Sequence, residues 1–203
     1  MKPWKFAPSA PAAKALDAPV RPSSVAGSYV VRQPIFGSND HVAGYELLFH
    51  PAATEVTTNR GGRGPTAPSS VRTCIELGLD KLTSGRPAFL SFTREMLLAR
   101  AGTLISHDAV VVGVPATVMA DRAMEQACEE LIDDGYTLAL DDFVWSSNCR
   151  RLLELASIVK VDVWNQSPAT LDELAQQLAV YDVRLLAKPR AHEHTEEPRG
   201  FAE

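Results

Sequence analysis

From Ser69 to Ala187 the chain alternates short apolar runs with segments of helical periodicity. That alternation narrows the fold more than any other feature, because repeated strand–helix units bury themselves best as a parallel sheet with helices outside it. The run Ala109–Val114 is continuously apolar, as a strand covered on both faces should be. Pro87–Phe92, Thr137–Leu140, Ile158–Val163 and Val183–Ala187 read as further strands. Between them lie helices at about Ser69–Leu82, Thr93–Ala101, Thr117–Asp133 and Leu152–Ala156. Another opens at Ser167-Pro168, with serine as cap and proline at the first helical position. Ala120, Met124, Ala127, Cys128 and Leu131 share one helix face; Leu171, Leu174, Ala175 and Leu178 share another. Gly135 follows the third helix where a C-terminal cap belongs.

Ahead of this alternation, Ser28–Phe36 and His41–Phe49 have strand composition and flank the turn-like Gly37-Ser38-Asn39-Asp40, which predicts a β-hairpin. Residues 1–27 are rich in Pro, Ala and Ser and are expected to be a mobile tail before the domain at 28–203. Arg60 and Arg63 lie among glycines in the 51–68 loop. Guanidinium forks and free amides suit a phosphate; a plain loop is the competing reading, since no strand-to-helix phosphate motif frames it.

The formal net charge is −5, with Lys and Arg spread along the chain. That disfavours nucleic acid, which calls for a basic stripe. No apolar run reaches membrane-spanning length. Lys2 and Lys5 precede no apolar stretch, so no signal peptide is read. Cys74, Cys128 and Cys149 are odd in number and lack metal-site spacing, as expected of reduced thiols in a cytoplasmic protein. His192 and His194 could bind a metal or be a solvated tail.

In parallel α/β folds, chemistry gathers at the carboxyl ends of the strands. The residues found there are Ser91, Gly113, Asp141, Asp142, Lys160 and Lys188. At this point a resemblance emerges. Val31-Arg32-Gln33-Pro34-Ile35-Phe36 and Gly44-Tyr45-Glu46-Leu47-Leu48-Phe49 are followed by Pro87-Ala88-Phe89-Leu90. Leu138-Ala139-Leu140-Asp141-Asp142-Phe143, Ile158-Val159-Lys160-Val161-Asp162 and Leu185-Leu186-Ala187 come next. In this order the motifs resemble the bacterial EAL domain family, with wording closest to the branch fused to an HDOD domain.

The resemblance implies a modified (β/α)8 barrel that hydrolyses cyclic di-GMP to linear pGpG with two Mg²⁺ or Mn²⁺ ions. It implies that Glu46, Asp141 and Asp142 correspond to metal ligands and Lys160 to the catalytic-site lysine. Gln33, Pro34, Leu48 and Asp142 would contact the nucleotide. Arg32 and Trp145 or Trp164 are further candidates for ligand contact, with surface or packing roles as the alternatives.

The chain departs from the family at several positions. Ser91 replaces a ligand asparagine, Gly113 and Lys188 replace ligand glutamates, and His50 replaces an arginine that contacts phosphate. Val144 and Trp145 replace a small glycine-containing stretch. Glycine offers no ligand, and Lys188 is expected to set an ammonium where a dication would sit. The family's last strands belong beyond Ala187, so the barrel is expected to be incomplete: an open sheet, or one completed by a partner. The expectation is a catalytically inactive domain without a cofactor. It would act in cyclic di-GMP signalling through a protein partner, a homodimer or nucleotide sensing. A metal-dependent phosphodiesterase is the alternative.

Overall fold

A computed structural model of the chain describes residues 23–25, 28–37, 41–50, 67–116, 121–145, 149–163 and 165–188. The strands are β1 (Ser23–Val25), β2 (Ser28–Phe36), β3 (Val42–His50), β4 (Ala88–Ser91), β5 (Val110–Pro115), β6 (Thr137–Asp141), β7 (Ile158–Asp162) and β8 (Arg184–Lys188). The helices are α1 (Ala67–Leu77), α2 (Leu79–Thr83), α3 (Arg94–Leu98), α4 (Arg122–Asp133), α5 (Arg150–Leu155) and α6 (Pro168–Leu178). The strands form one eight-stranded sheet in sequence order. β1, β2 and β3 pair antiparallel, and every later neighbour pairs parallel.

This sheet curls strongly. β3 and β7 are separated by three strands in its order, yet side chains from the two meet 2.6 Å apart. The result is an incomplete (β/α) barrel with the helices outside, as the sequence predicts. Alternation along each strand divides the apolar residues into two clusters. Tyr45, Leu47, Leu90, Val112, Leu138 and Val159 face the helices and pack with residues such as Cys74, Met124, Leu131 and Leu153. Ile35, Phe89, Val111, Ala139 and Ile158, with half-buried Leu186, form a smaller cluster inside the curl. β5 and β6 are buried on both faces; β8, at the sheet margin, is half-exposed along its length.

Local chemistry sets most boundaries. Thr93 caps α3 through the Met96 amide, Asp121 caps α4 through the Met124 amide, and Ser167 caps α6 through the Thr170 amide. Gly135 follows α4 at φ +92°. Two expectations need correcting. The helix read as Ser69–Leu82 is two helices, broken at Gly78, whose φ of +79° no helical residue adopts. Ser23–Val25, assigned to the tail, forms β1 against β2. Backbone pairing at a sheet margin asks little of side chains, so composition did not mark it. On α6, Leu174 and Leu178 are buried and Ala175 is exposed, so the buried stripe is narrower than its periodicity suggested. Residues 1–22, the 51–66 part of the loop with Arg60 and Arg63, His192 and His194 lie outside the described residues. No helix among those described is long and apolar enough to cross a membrane.

Candidate functional site

The inner cluster is the floor of the site. One alternation further along each parallel strand the residue type changes. Phe89 gives way to Ser91, Val111 to Gly113, Ala139 to Asp141, Ile158 to Lys160 and Leu186 to Lys188. The register aligns Ser91 with Gly113 and staggers the later steps by two residues, with Gly113 beside Ala139 and Lys160 beside Leu186. A period of two therefore lifts a polar layer above an apolar one, at the carboxyl ends of the strands. Glu46, on β3, enters the same layer from the hairpin side.

At the centre stands Lys160, only 3 % exposed. Its Nζ donates to Glu46 Oε1 at 2.6 Å and lies 2.9 Å from Asp141 Oδ1. Both carboxylates are themselves buried. The approach to Asp141 is electrostatic: Oδ1 is buried and takes no aligned hydrogen bond among the described residues. The other oxygen, Asp141 Oδ2, accepts from the Ser91 hydroxyl at 2.5 Å. Burial alone would push the Lys160 ammonium down, but the Asp141 and Glu46 carboxylates outweigh it and hold its pKa above the ordinary lysine value. Lys160 is thus charged at neutral pH, and Glu46–Lys160–Asp141–Ser91 forms a polar chain joining β3, β7, β6 and β4.

Gly113 borders this chain. A Cβ at that position would lie 2.5 Å from Asp141 Oδ2, 3.0 Å from the Leu90 carbonyl and 3.1 Å from Ser91 Cα. The Asp141 carboxylate thus occupies the space into which a side chain at 113 would project. Sequence patterns hold no signal of this, because it depends on how closely β4, β5 and β6 approach.

Asp142 departs from its neighbour. Its φ is +50°, a left-handed conformation that aspartate tolerates better than most residues, and the turn carries its side chain to the rim. There it pairs with Lys188; the two side chains are 60 % and 36 % exposed. The lysine expected to fill the centre is therefore at the rim, and Lys160 fills the centre. Asp142 does not join Glu46 and Asp141.

Of the residues assigned to nucleotide contact, Gln33 pairs in register with Glu46, and Leu48 lies one alternation beyond Glu46 on the same face. Pro34 pairs with Tyr45 and takes the opposite face, as alternation from Gln33 requires. Arg32 also faces the helices: its guanidinium lies 4.7 Å from the Tyr45 ring centre and donates to the Leu82 carbonyl. Trp145 meets Phe143 and Tyr181 edge-on, both at 6.3 Å, which favours its packing role. Trp164 and the His50 side chain lie outside the described residues. Among those described, no three acidic, histidine or cysteine side chains converge as a metal site would require.

No protein-family model matches the chain. It is 31% identical over 137 residues to the cyclic di-GMP phosphodiesterase CdgJ of Vibrio cholerae, covering 67% of this chain and 32% of that protein. It is 29% identical over 140 residues to the uncharacterized protein YuxH of Bacillus subtilis, covering 66% and 34%. The chain thus spans about a third of the length of the curated relatives it matches. Among solved structures it resembles the PaMucR phosphodiesterase in complex with cyclic di-GMP, with a TM-score of 0.59 and 16% identity over 82% of this chain and 87% of that one. It also resembles the Bacillus subtilis YkuI protein, which has an EAL domain and was solved with cyclic di-GMP and calcium. There the TM-score is 0.55 and the identity 18%, over 79% and 49%. The strand order, the motif order and these relatives agree, and the chain belongs to the EAL domain family.

Proposed function

We propose that this chain is a non-catalytic EAL domain that works in cyclic di-GMP signalling by binding, with a protein partner as its principal ligand. The observation that carries this reading is the loss of donors around Glu46 and Asp141: Gly113 brings none, and Asp142 is turned to the rim, where Lys188 pairs with it. Hard divalent cations take six or more oxygen ligands, with carboxylates supplying the charge. Here the two buried carboxylates are already occupied by a lysine, Gly113 brings no donor, and Asp142 is turned to the rim with Lys188 on it. Two carboxylates and one ammonium leave a single net negative charge. That is poorly matched to two dications, whose role in phosphodiester hydrolysis is to activate water and clamp the phosphate. No catalytic step follows from such a centre.

Nucleotide sensing is a second mode of the same function. Gln33, Glu46 and Leu48 share the inner face of the hairpin, and the exposed side chain of Leu48 offers an apolar contact there. The competing reading, a metal-dependent cyclic di-GMP phosphodiesterase, draws on the activity named for the Vibrio relative. The three buried thiols, none of them in a disulfide, suit a reducing, cytoplasmic setting.

The test is incubation of the full chain with cyclic di-GMP and Mg²⁺ or Mn²⁺, followed by separation of products. Unchanged nucleotide is expected, and release of linear pGpG would overturn the proposal. Calorimetric titration of the nucleotide into the same protein then separates sensing, which gives heat, from partner binding alone, which gives none.

A further inference from the structure

The two margins of the sheet are unequal. β1 is three residues long, whereas β8 is a regular five-residue strand that pairs with β7 alone among the described strands. The Arg184 amide donates to the Ser157 carbonyl, on the β7 side. In a parallel ladder successive residues bond to opposite sides. Arg184, Leu186 and Lys188 therefore serve β7, and the amides and carbonyls of Leu185 and Ala187 point to the open margin.

The side chains along this margin are patterned too. The inward row is Arg184, Leu186 and Lys188, two cations flanking a leucine, each half-buried. The outward row holds Leu185, 51 % exposed, although its register neighbour Val159 is fully buried. Basic residues along an edge deter a second copy, which brings the same row. They favour a strand of opposite charge, because unlike charges across a ladder stabilise it and like charges oppose it.

We infer that the open margin of β8 is the docking edge for a protein partner, which adds an extended acidic segment as a further strand. This rests on the partner-binding reading and names the surface used and the chemistry it takes. The backbone of Leu185 and Ala187 supplies the hydrogen bonds, as in other complexes formed by strand addition. The partner sets acidic side chains beside Arg184 and Lys188, an apolar one beside Leu186 and another beside Leu185. Its acidic residues are thus four apart, with apolar residues between them. Lys188 also pairs with Asp142 at the rim, but an ammonium has three donors and accommodates a second carboxylate.

The probe is a blocked, fluorescein-labelled peptide, Glu-Val-Val-Val-Glu, whose charge pattern is the same in either strand direction. Fluorescence anisotropy with the full chain should show saturable binding, with Kd below about 1 mM. The peptide Lys-Val-Val-Val-Lys should bind at least about tenfold more weakly. N-methylation of the acidic peptide at its even or at its odd positions blocks opposite edges, so one methylated peptide should lose binding and the other keep it. Ala187→Pro removes an amide from the open margin and leaves the β7 ladder intact, so it should weaken binding about tenfold with little change in Tm. The inference fails if the acidic peptide does not bind, if the lysine peptide binds as well, or if the two methylated peptides behave alike; these outcomes need no variant. It fails equally if folded Ala187→Pro binds as the wild type does. Self-association of the wild type that Ala187→Pro abolishes would give the margin to a second copy and overturn the assignment. Release of pGpG sinks the non-catalytic reading whatever the peptides do, so the two failures are distinguishable.

Discussion

Two lysines at neighbouring strand ends each pair with an aspartate from the same Asp141-Asp142 dipeptide, and they differ in almost everything else. Lys160 is enclosed, with two carboxylates around its ammonium; Lys188 is at the rim, with one exposed carboxylate for a partner. The difference originates in one backbone angle. Asp141 ends β6 facing inward, and Asp142 turns out through a φ of +50°. Burial then decides the energetics. Removing one member of an enclosed ion pair leaves a charge that nothing solvates, whereas water replaces either partner at the rim. The same residue types are thus a fixed structural element in one place and a solvated pair in the other.

The sharpest way to break this contrast is Lys160→Met. It should cost about 3–5 kcal/mol in metal-free buffer, the usual penalty for orphaning a buried charge. Denaturant unfolding monitored by circular dichroism measures it. Alkaline pH probes the same contact. The Lys160 pKa is raised in the fold, so its contribution is complete below the unfolded value of 10.5 and is lost as pH climbs through the folded value. The alkaline decline in wild-type stability should therefore be shallower in Lys160→Met. A variant as stable as wild type in metal-free buffer would mean that the centre is not held by charge.

Gly113→Ala comes next, at about 1–3 kcal/mol, because the new Cβ meets Asp141 Oδ2 and the flanking backbone of β4. Ser91→Ala should cost about 1 kcal/mol, since it removes the donor to Asp141 Oδ2 from a position that water can reach. Combining them sharpens the picture. Alanine at 113 must displace the carboxylate that Ser91 holds, so Ser91→Ala should cost less in that background than alone. Simple additivity would show that Gly113 and Ser91 act on Asp141 independently.

Much of this was readable in advance, and the limits have physical causes. The parallel sheet with helices outside it came from alternation and the apolar strand runs, which are local signals; the barrel came from the family resemblance. The polar layer came from position at the strand ends, and Glu46, Asp141 and Lys160 do meet there. What failed was orientation. Lys188 was expected at the centre because it stands at a ligand position in sequence, yet its strand is marginal and half-exposed and its ammonium reaches outward to Asp142. Occupation of the Gly113 space by the Asp141 carboxylate is a distance across strands, to which no sequence pattern refers.

The smallest predicted effect is the most discriminating, because it concerns the lysine that looks equivalent. Lys188→Met removes an ion pair whose members are both more than a third exposed. Such pairs contribute about 0–1 kcal/mol, and salt screens what there is. The variant should therefore unfold within about 0.5 kcal/mol of wild type, and raising the salt concentration should erase the remainder. A loss comparable to that of Lys160→Met, or one indifferent to salt, would mean that Lys188 and Asp142 brace the open end of the sheet. The boundary between enclosed centre and solvated rim would then lie outside β8, and the contrast between the two lysines would dissolve.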